Sequence, residues 1–155
     1  MSNFSSEQAN LASFDSKAIH DHVKLLHERA VGVAGKFVVS AFNEGAPGTI
    51  THHKVGDIEG MCVSIMAHAT TPGANVYTGP HLMRSDLPRG QRGKEGDIVA
   101  VLGLVADMDA DTGKIGDLPV TASYIVETSP GNTQAITLFH QPMTPASAKR
   151  LARAP

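Results

Sequence analysis

The sequence predicts an α+β domain with a mainly antiparallel sheet and helices packed on one face. Three observations point there. Apolar residues recur at helical spacing in two segments near the start, and a third helix signal closes the chain. Six short stretches rich in strand formers lie among them, the last two joined by a tight Pro-Gly turn of the kind that returns a strand beside its predecessor. No internal repeat and no linker divides the 155 residues, a length that suits one domain.

The elements follow in order. Residues 1–14 are rich in Ser, Asn and Gln and read as a flexible N-terminal arm, which leaves 15–155 as the domain. Ile19, Val23, Leu26 and Ala30 fall on one helical face, with Asp15 or Ser16 as cap and Gly32 as stop. Phe37–Phe42 is a strand, ended by Asn43–Gly48, and Thr49–His53 is its return partner. Ile58, Met61, Cys62, Ile65, Met66 and Ala69 form the stripe of a second amphipathic helix, stopped by Pro72-Gly73. Asn75–Thr78 is a short strand. Arg84–Gly96 holds four basic residues against two acidic ones, with three glycines and a proline, and reads as a flexible basic loop. Ile98–Ala106 is nearly all apolar and is expected to be a buried central strand. Ser123–Glu127 and Ala135–Phe139 flank the turn Thr128–Asn132. Thr144 and Pro145 cap a last helix over Ala146–Ala154, with Lys149, Arg150 and Arg153 near its negative end.

Composition narrows the function classes. Hydrophobic residues make up 41% and charged residues 18%, enough for a packed core and inconsistent with global disorder. The formal net charge of −2 excludes a strongly basic nucleic-acid coat while leaving room for a local basic patch. The single cysteine, Cys62, permits no internal disulfide and no cysteine-based zinc site, and its place on the apolar stripe marks it as core. No apolar run approaches the roughly 18 residues that span a bilayer. The first residues lack a secretory pattern, so the expected compartment is the cytoplasm and no membrane partner is expected.

The sharpest chemical feature is Asp107-Met108-Asp109, at the end of the apolar run. Strand alternation puts the two aspartates on one face. Carboxylates held that close repel unless a cation lies between them. Mg²⁺ suits one or two carboxylates with phosphate oxygens completing its shell, and such an ion can stabilise nucleotidyl transfer. The plain alternative is an acidic, solvated turn. Asp107, Asp109 and Asp111 also occupy the first, third and fifth places of a calcium loop, but Thr112 and Leu118 stand where that loop needs Gly and Glu. The calcium reading fails. Glu127–Gln134 is a Ser/Thr-rich turn with glycine, either a phosphate cradle or an ordinary hairpin. The Arg84–Lys94 loop is either a phosphate contact or a solvated loop. The eight histidines show no metal-site spacing and read as surface or packing residues.

Taken together, Val99–Lys114 (VAVLGLVADMDADTGK) and Ser123–Phe139 (SYIVETSPGNTQAITLF), followed by the TPASAKRLA helix, resemble the archaeo-eukaryotic primase superfamily. The nearest branch is the RepB-like or primase-polymerase group of phages, plasmids and integrated elements. The resemblance implies an RRM-like palm in which Asp107 and Asp109 are catalytic and hold Mg²⁺ or Mn²⁺. It implies that Ser129, Gly131 and Gln134 bind the incoming nucleotide's phosphates, with Gln134 where many relatives have histidine. Arg84, Arg89, Arg92 and Lys94 would contact nucleic acid. The implied partners are a single-stranded DNA template and nucleoside triphosphates. The family's third acidic motif lies beyond a helix like the one that closes this chain, and no acidic residue follows Glu127. Two expectations result: a nucleotidyltransferase palm whose site a second polypeptide (a helicase or split primase half) completes, or an inactive primase-like module that binds nucleic acid or protein as a regulator of a mobile element.

Overall fold

The computed structural model describes residues 14–109, 120–129 and 131–153, with Asp109 and Ser129 described by their backbone alone. The expected N-terminal arm up to residue 13, the Asp111–Lys114 stretch and Pro130 therefore lie outside the described residues.

Helix α1 (Ser16–Arg29) starts where a side chain can satisfy its free N–H groups. The Asp15 carboxylate accepts from the N–H of Lys17 at 2.9 Å and of Ala18 at 3.1 Å. Its stripe of Val23 and Leu26, continued by Ala30, is fully buried. Gly32, at φ +82°, takes the left-handed conformation that releases the chain from the helix. Strand β1 (Lys36–Phe42) then alternates, sending Phe37, Val39 and Ala41 into the core, and β2 (Thr49–Lys54) pairs with it antiparallel from Lys36↔Lys54 to Ala41↔Thr49. Asp57 caps helix α2 (Ile58–Ala69) by accepting from the Gly60 N–H, and Met61, Cys62 and Ile65 are buried from its stripe.

Strand β3 (Asn75–Tyr77) pairs with the other side of β1, Ser40 opposite Tyr77. A three-residue strand absent from the sequence reading follows: β4 (His81–Met83), which pairs antiparallel with the start of β5 (Ile98–Asp109). Strands β6 (Tyr124–Ser129) and β7 (Asn132–Met143) form the expected hairpin, with β7 running well past Phe139. Helix α3 (Pro145–Ala152) is capped by Thr144, whose hydroxyl accepts from the Ser147 N–H, and is shorter than the Ala146–Ala154 span expected. The result is α+β: one curled antiparallel sheet ordered β2-β1-β4-β5-β7-β6, with β3 added beside β1.

The core lies between α1, α2 and the sheet face bearing Phe37, Val39, Leu82, Ala100 and Leu102. Burying each of its larger side chains contributes about 1.5–3 kcal/mol. Strand β5 corrects one expectation. It is interior to the sheet but not buried throughout, since Val99 and Val105 are 42% and 41% exposed. An antiparallel sheet can leave part of its surface to water, so an apolar run here does not require two covering layers. The β5–β7 ladder is interrupted by a bulge on β7: from Val101 to Gly103 the partner on β7 jumps from Met143 to Leu138, so the extra residues belong to β7.

The basic loop corrects another. It is irregular but tied down. Leu87 is buried at 2% exposure, and Lys36 Nζ donates to its carbonyl at 2.6 Å. His52 Nε2 donates to the Gln91 carbonyl at 2.7 Å. The Arg84 guanidinium lies 3.0 Å from Asp86 and 2.8 Å from Asp97. Glycine and proline here signal a departure from regular structure, and one apolar anchor with these bonds supplies the order. No helix among the described residues is long and apolar enough to cross a membrane.

Candidate functional site

The two halves of the acidic motif and the hairpin meet through strand register. Strand β5 pairs with β7, which places Asp107 opposite Gln134 and Asp109 opposite Asn132. On the far side of β7, β6 places Val126 opposite Gln134 and Ser129 opposite Asn132. Residues directly opposite one another share a sheet face. Asp107, Gln134 and Val126 therefore form one row, and Asp109, Asn132 and Ser129 the next, at the hairpin end.

A hydrogen bond fixes the first row: Gln134 Nε2 donates to Asp107 Oδ1 at 2.8 Å. The carboxylate is exposed. It keeps Oδ2 and spare lone pairs for a further partner, and the Gln134 amide keeps one N–H and its carbonyl oxygen. The hairpin closes through Thr128 Oγ1, which donates to the Asn132 carbonyl at 3.2 Å, and through Gly131 at φ +81°, which an L side chain rarely adopts. Among the described residues no group of three His, Cys, Asp or Glu side chains gathers for a metal. A divalent cation at this end would draw on the exposed Asp107 carboxylate, with phosphate and water oxygens supplying most of its shell, which is how Mg²⁺ is commonly held.

Arg84, Arg89, Arg92 and Lys94 are not brought to this end. Their loop joins β4 to the start of β5, whereas Asp107 stands near its finish, a path of roughly 30 Å along the strand. Arg84 is paired with Asp86 and Asp97. Among the described residues, no carboxylate stands within salt-bridge distance of Arg89, Arg92 or Lys94. Arg92 lies over the Phe42 ring with its guanidinium carbon 5.3 Å from the centroid, and Phe42 in turn lies 6.0 Å from Tyr77. Arg92 thus sits beside β1.

Two features escaped the sequence reading. Tyr77 is 51% exposed beside Phe42; a tyrosine in a three-residue strand gives no signal of which way it faces. The second is a polar pair that ties β6 to α1. The Tyr124 hydroxyl and His22 Nδ1 are hydrogen-bonded at 2.9 Å, with the rings edge to face at 5.5 Å. Burial lowers the His22 pKa to about 4 and raises that of Tyr124 to about 12. Cys62 is buried and free, and burial pushes its thiol pKa up, so it is a core residue. No family model, curated protein or solved structure matches the chain.

Proposed function

We propose that the chain is an RRM-like primase-palm domain, related to the archaeo-eukaryotic primases, that joins nucleotides on a single-stranded DNA template. One observation carries the reading: the register sets the Asp107/Asp109 end of β5 against the Gln134/Ser129 end of the hairpin, with the 2.8 Å Gln134–Asp107 bond between them. Acidic ligands and phosphate-binding donors must share one surface for nucleotidyl transfer, and here strand pairing supplies that surface. Asp107 and Asp109 would hold Mg²⁺ or Mn²⁺. The ion, when bound, neutralises phosphate charge and steadies the attacking and leaving oxygens. Gln134 orients the Asp107 carboxylate through one amide N–H and offers the other to a phosphate oxygen. Ser129 and the backbone of Gly131 would add donors, and a second polypeptide could bring a further acidic group to the same exposed edge.

Primer synthesis with labelled nucleotides and Mn²⁺ tests this. Wild type should extend, and Asp107→Ala/Asp109→Ala should fall to background. Incorporation that survives the double change would locate the activity elsewhere and sink the assignment. The second reading is an inactive primase-like module that binds nucleic acid. The cations and exposed aromatic surface gathered away from the carboxylates favour it, because that surface needs no metal to work. Single-stranded DNA binding without any incorporation is its signature.

A further inference from the structure

We infer that Tyr77, packed beside Phe42, is a stacking platform for an unpaired base, and that Arg92, held over the same Phe42 ring, and the Arg89–Lys94 segment around it hold the adjoining phosphates. The inference deepens the proposed template binding and rests on that reading for its ligand class, but it concerns β1, β3 and the β4–β5 loop and not the strand end that carries the carboxylates.

Tyr77 leaves 51% of its surface in water on a sheet whose other aromatic side chains pack inward or against neighbours. Its ring is not loose. Strand β3 pairs it with Ser40 on β1, and the Phe42 ring stands 6.0 Å away at a tilt of 50°. Phe42 is itself pressed onto the chain at Gly48, where an added Cβ would come 2.4 Å from Cε1 of the ring, so the backbone of the β1–β2 turn backs the cluster. Arg92 lies over the Phe42 ring, its guanidinium carbon 5.3 Å from the centroid. That contact fixes the cation on the ring that Tyr77 also packs against before any ligand arrives, which lowers the ordering cost of binding.

A rigid, half-exposed ring beside a preset guanidinium matches what single strands offer: an exposed π-face and a phosphate on alternate positions of one chain. A duplex hides its base faces and meets only the cations. Arg89 and Lys94 extend the positive surface along the same loop; no carboxylate among the described residues forms an ion pair with Arg89, whereas Lys94 lies close to the Asp97 carboxylate, which also accepts its N–H at 2.7 Å. With a net charge of −2 over the whole chain, attraction for a polyanion has to come from such a local surface.

The test uses the full chain and a fluorescein-labelled oligo-dT, read by anisotropy at fixed salt. Tyr77→Ala should weaken binding about 5- to 100-fold, the range for losing one stacked base. Tyr77→Phe should retain it. Arg92→Ala should reduce the slope of log affinity against log salt by about 0.7, one phosphate contact on a single strand. The chain has two tyrosines and no tryptophan, which gives an independent readout that does not depend on Tyr77→Ala folding. Oligo-dT should quench the tyrosine emission of wild type and leave that of Tyr77→Phe unchanged. Equal affinity of Tyr77→Ala and wild type, equal quenching in Tyr77→Phe, or no binding by wild type would each overturn the inference. Asp107→Ala/Asp109→Ala should bind oligo-dT as wild type does. Wild type that binds and quenches on oligo-dT but makes no primer therefore counts only against the catalytic reading, and wild type that makes primer while Tyr77→Ala binds oligo-dT equally well counts only against this one.

Discussion

At the scale of single residues, histidines set the acid behaviour of the fold. His27, 2% exposed, accepts the Gly56 N–H at Nδ1 (2.9 Å), so its proton resides on Nε2, which faces Met61 Sδ at 3.2 Å. Protonating Nδ1 would set two donors against each other in the core. Burial lowers the pKa of His27, and it is also the leading cause of the lowered values at His22, His53 and His81. A histidine whose folded pKa is depressed binds protons more readily when unfolded. Its contribution to stability is complete above the ordinary value near 6.5 and is lost as pH falls toward the folded pKa. For His22 that window runs from 6.5 to about 4, worth at most about 3 kcal/mol. The lowered carboxylates Asp21, Asp86, Glu95 and Asp97 act in a lower window, losing their contribution as pH falls through and below the ordinary 3.8–4.5 range. Urea midpoints should hold steady from pH 8 to 7 and then fall steadily toward pH 4. His22→Gln, which keeps an acceptor for the Tyr124 hydroxyl and cannot titrate, should flatten part of that fall. An unchanged slope in His22→Gln would show that His22 is not buried neutral. None of this was visible in spacing, because the sequence can suggest that a histidine packs and cannot say which N–H it faces.

At the scale of elements, what could be read depended on length and periodicity. Helices α1 and α2 carry enough turns for the Val23–Leu26–Ala30 and Met61–Cys62–Ile65 stripes to declare themselves, and Asp15 marks a start by cap chemistry alone. Strand β4 spans only His81–Met83, too few residues for alternation to show, and it exists because Leu82 is drawn into the core opposite Ala100. The composition of Arg84–Gly96 showed irregularity, while its order comes from long-range bonds to Lys36 and His52 that no local pattern encodes. The bulge in β7 was equally hidden, though Gly103, across from it on β5, was its one local sign. A Cβ built there comes 2.5 Å from the Thr137 carbonyl oxygen, a backbone atom that cannot move aside without disturbing the ladder. Gly103→Ala should therefore lower stability by about 1–3 kcal/mol, as overpacking does. Chemical denaturation would measure it, and a midpoint equal to wild type would mean that β7 does not cross Gly103 so closely.

At the scale of the whole molecule, β5 is the element on which the two candidate surfaces depend. Its start follows the basic loop and its finish carries Asp107 and Asp109. The paired aspartates and their hairpin neighbour were legible in the sequence because alternation and turn chemistry are local, whereas the distance between them and the arginines is a property of topology. That separation makes a quantitative prediction. Sites much more than about 7–10 Å apart with no shared partner contribute independently. Asp107→Asn should weaken Mn²⁺ binding, measured by electron paramagnetic resonance of the free ion, and leave oligo-dT affinity unchanged. Tyr77→Ala should do the reverse, and the double variant should show both losses with a coupling energy within about 0.5 kcal/mol of zero. Templated synthesis, which needs both ends occupied by one strand, should be reduced by either change. A coupling energy beyond about 1 kcal/mol in the binding measurements would mean that the loop and the carboxylates act as one site. The sheet would then have to bring its ends together in a way that the antiparallel register of β5 does not.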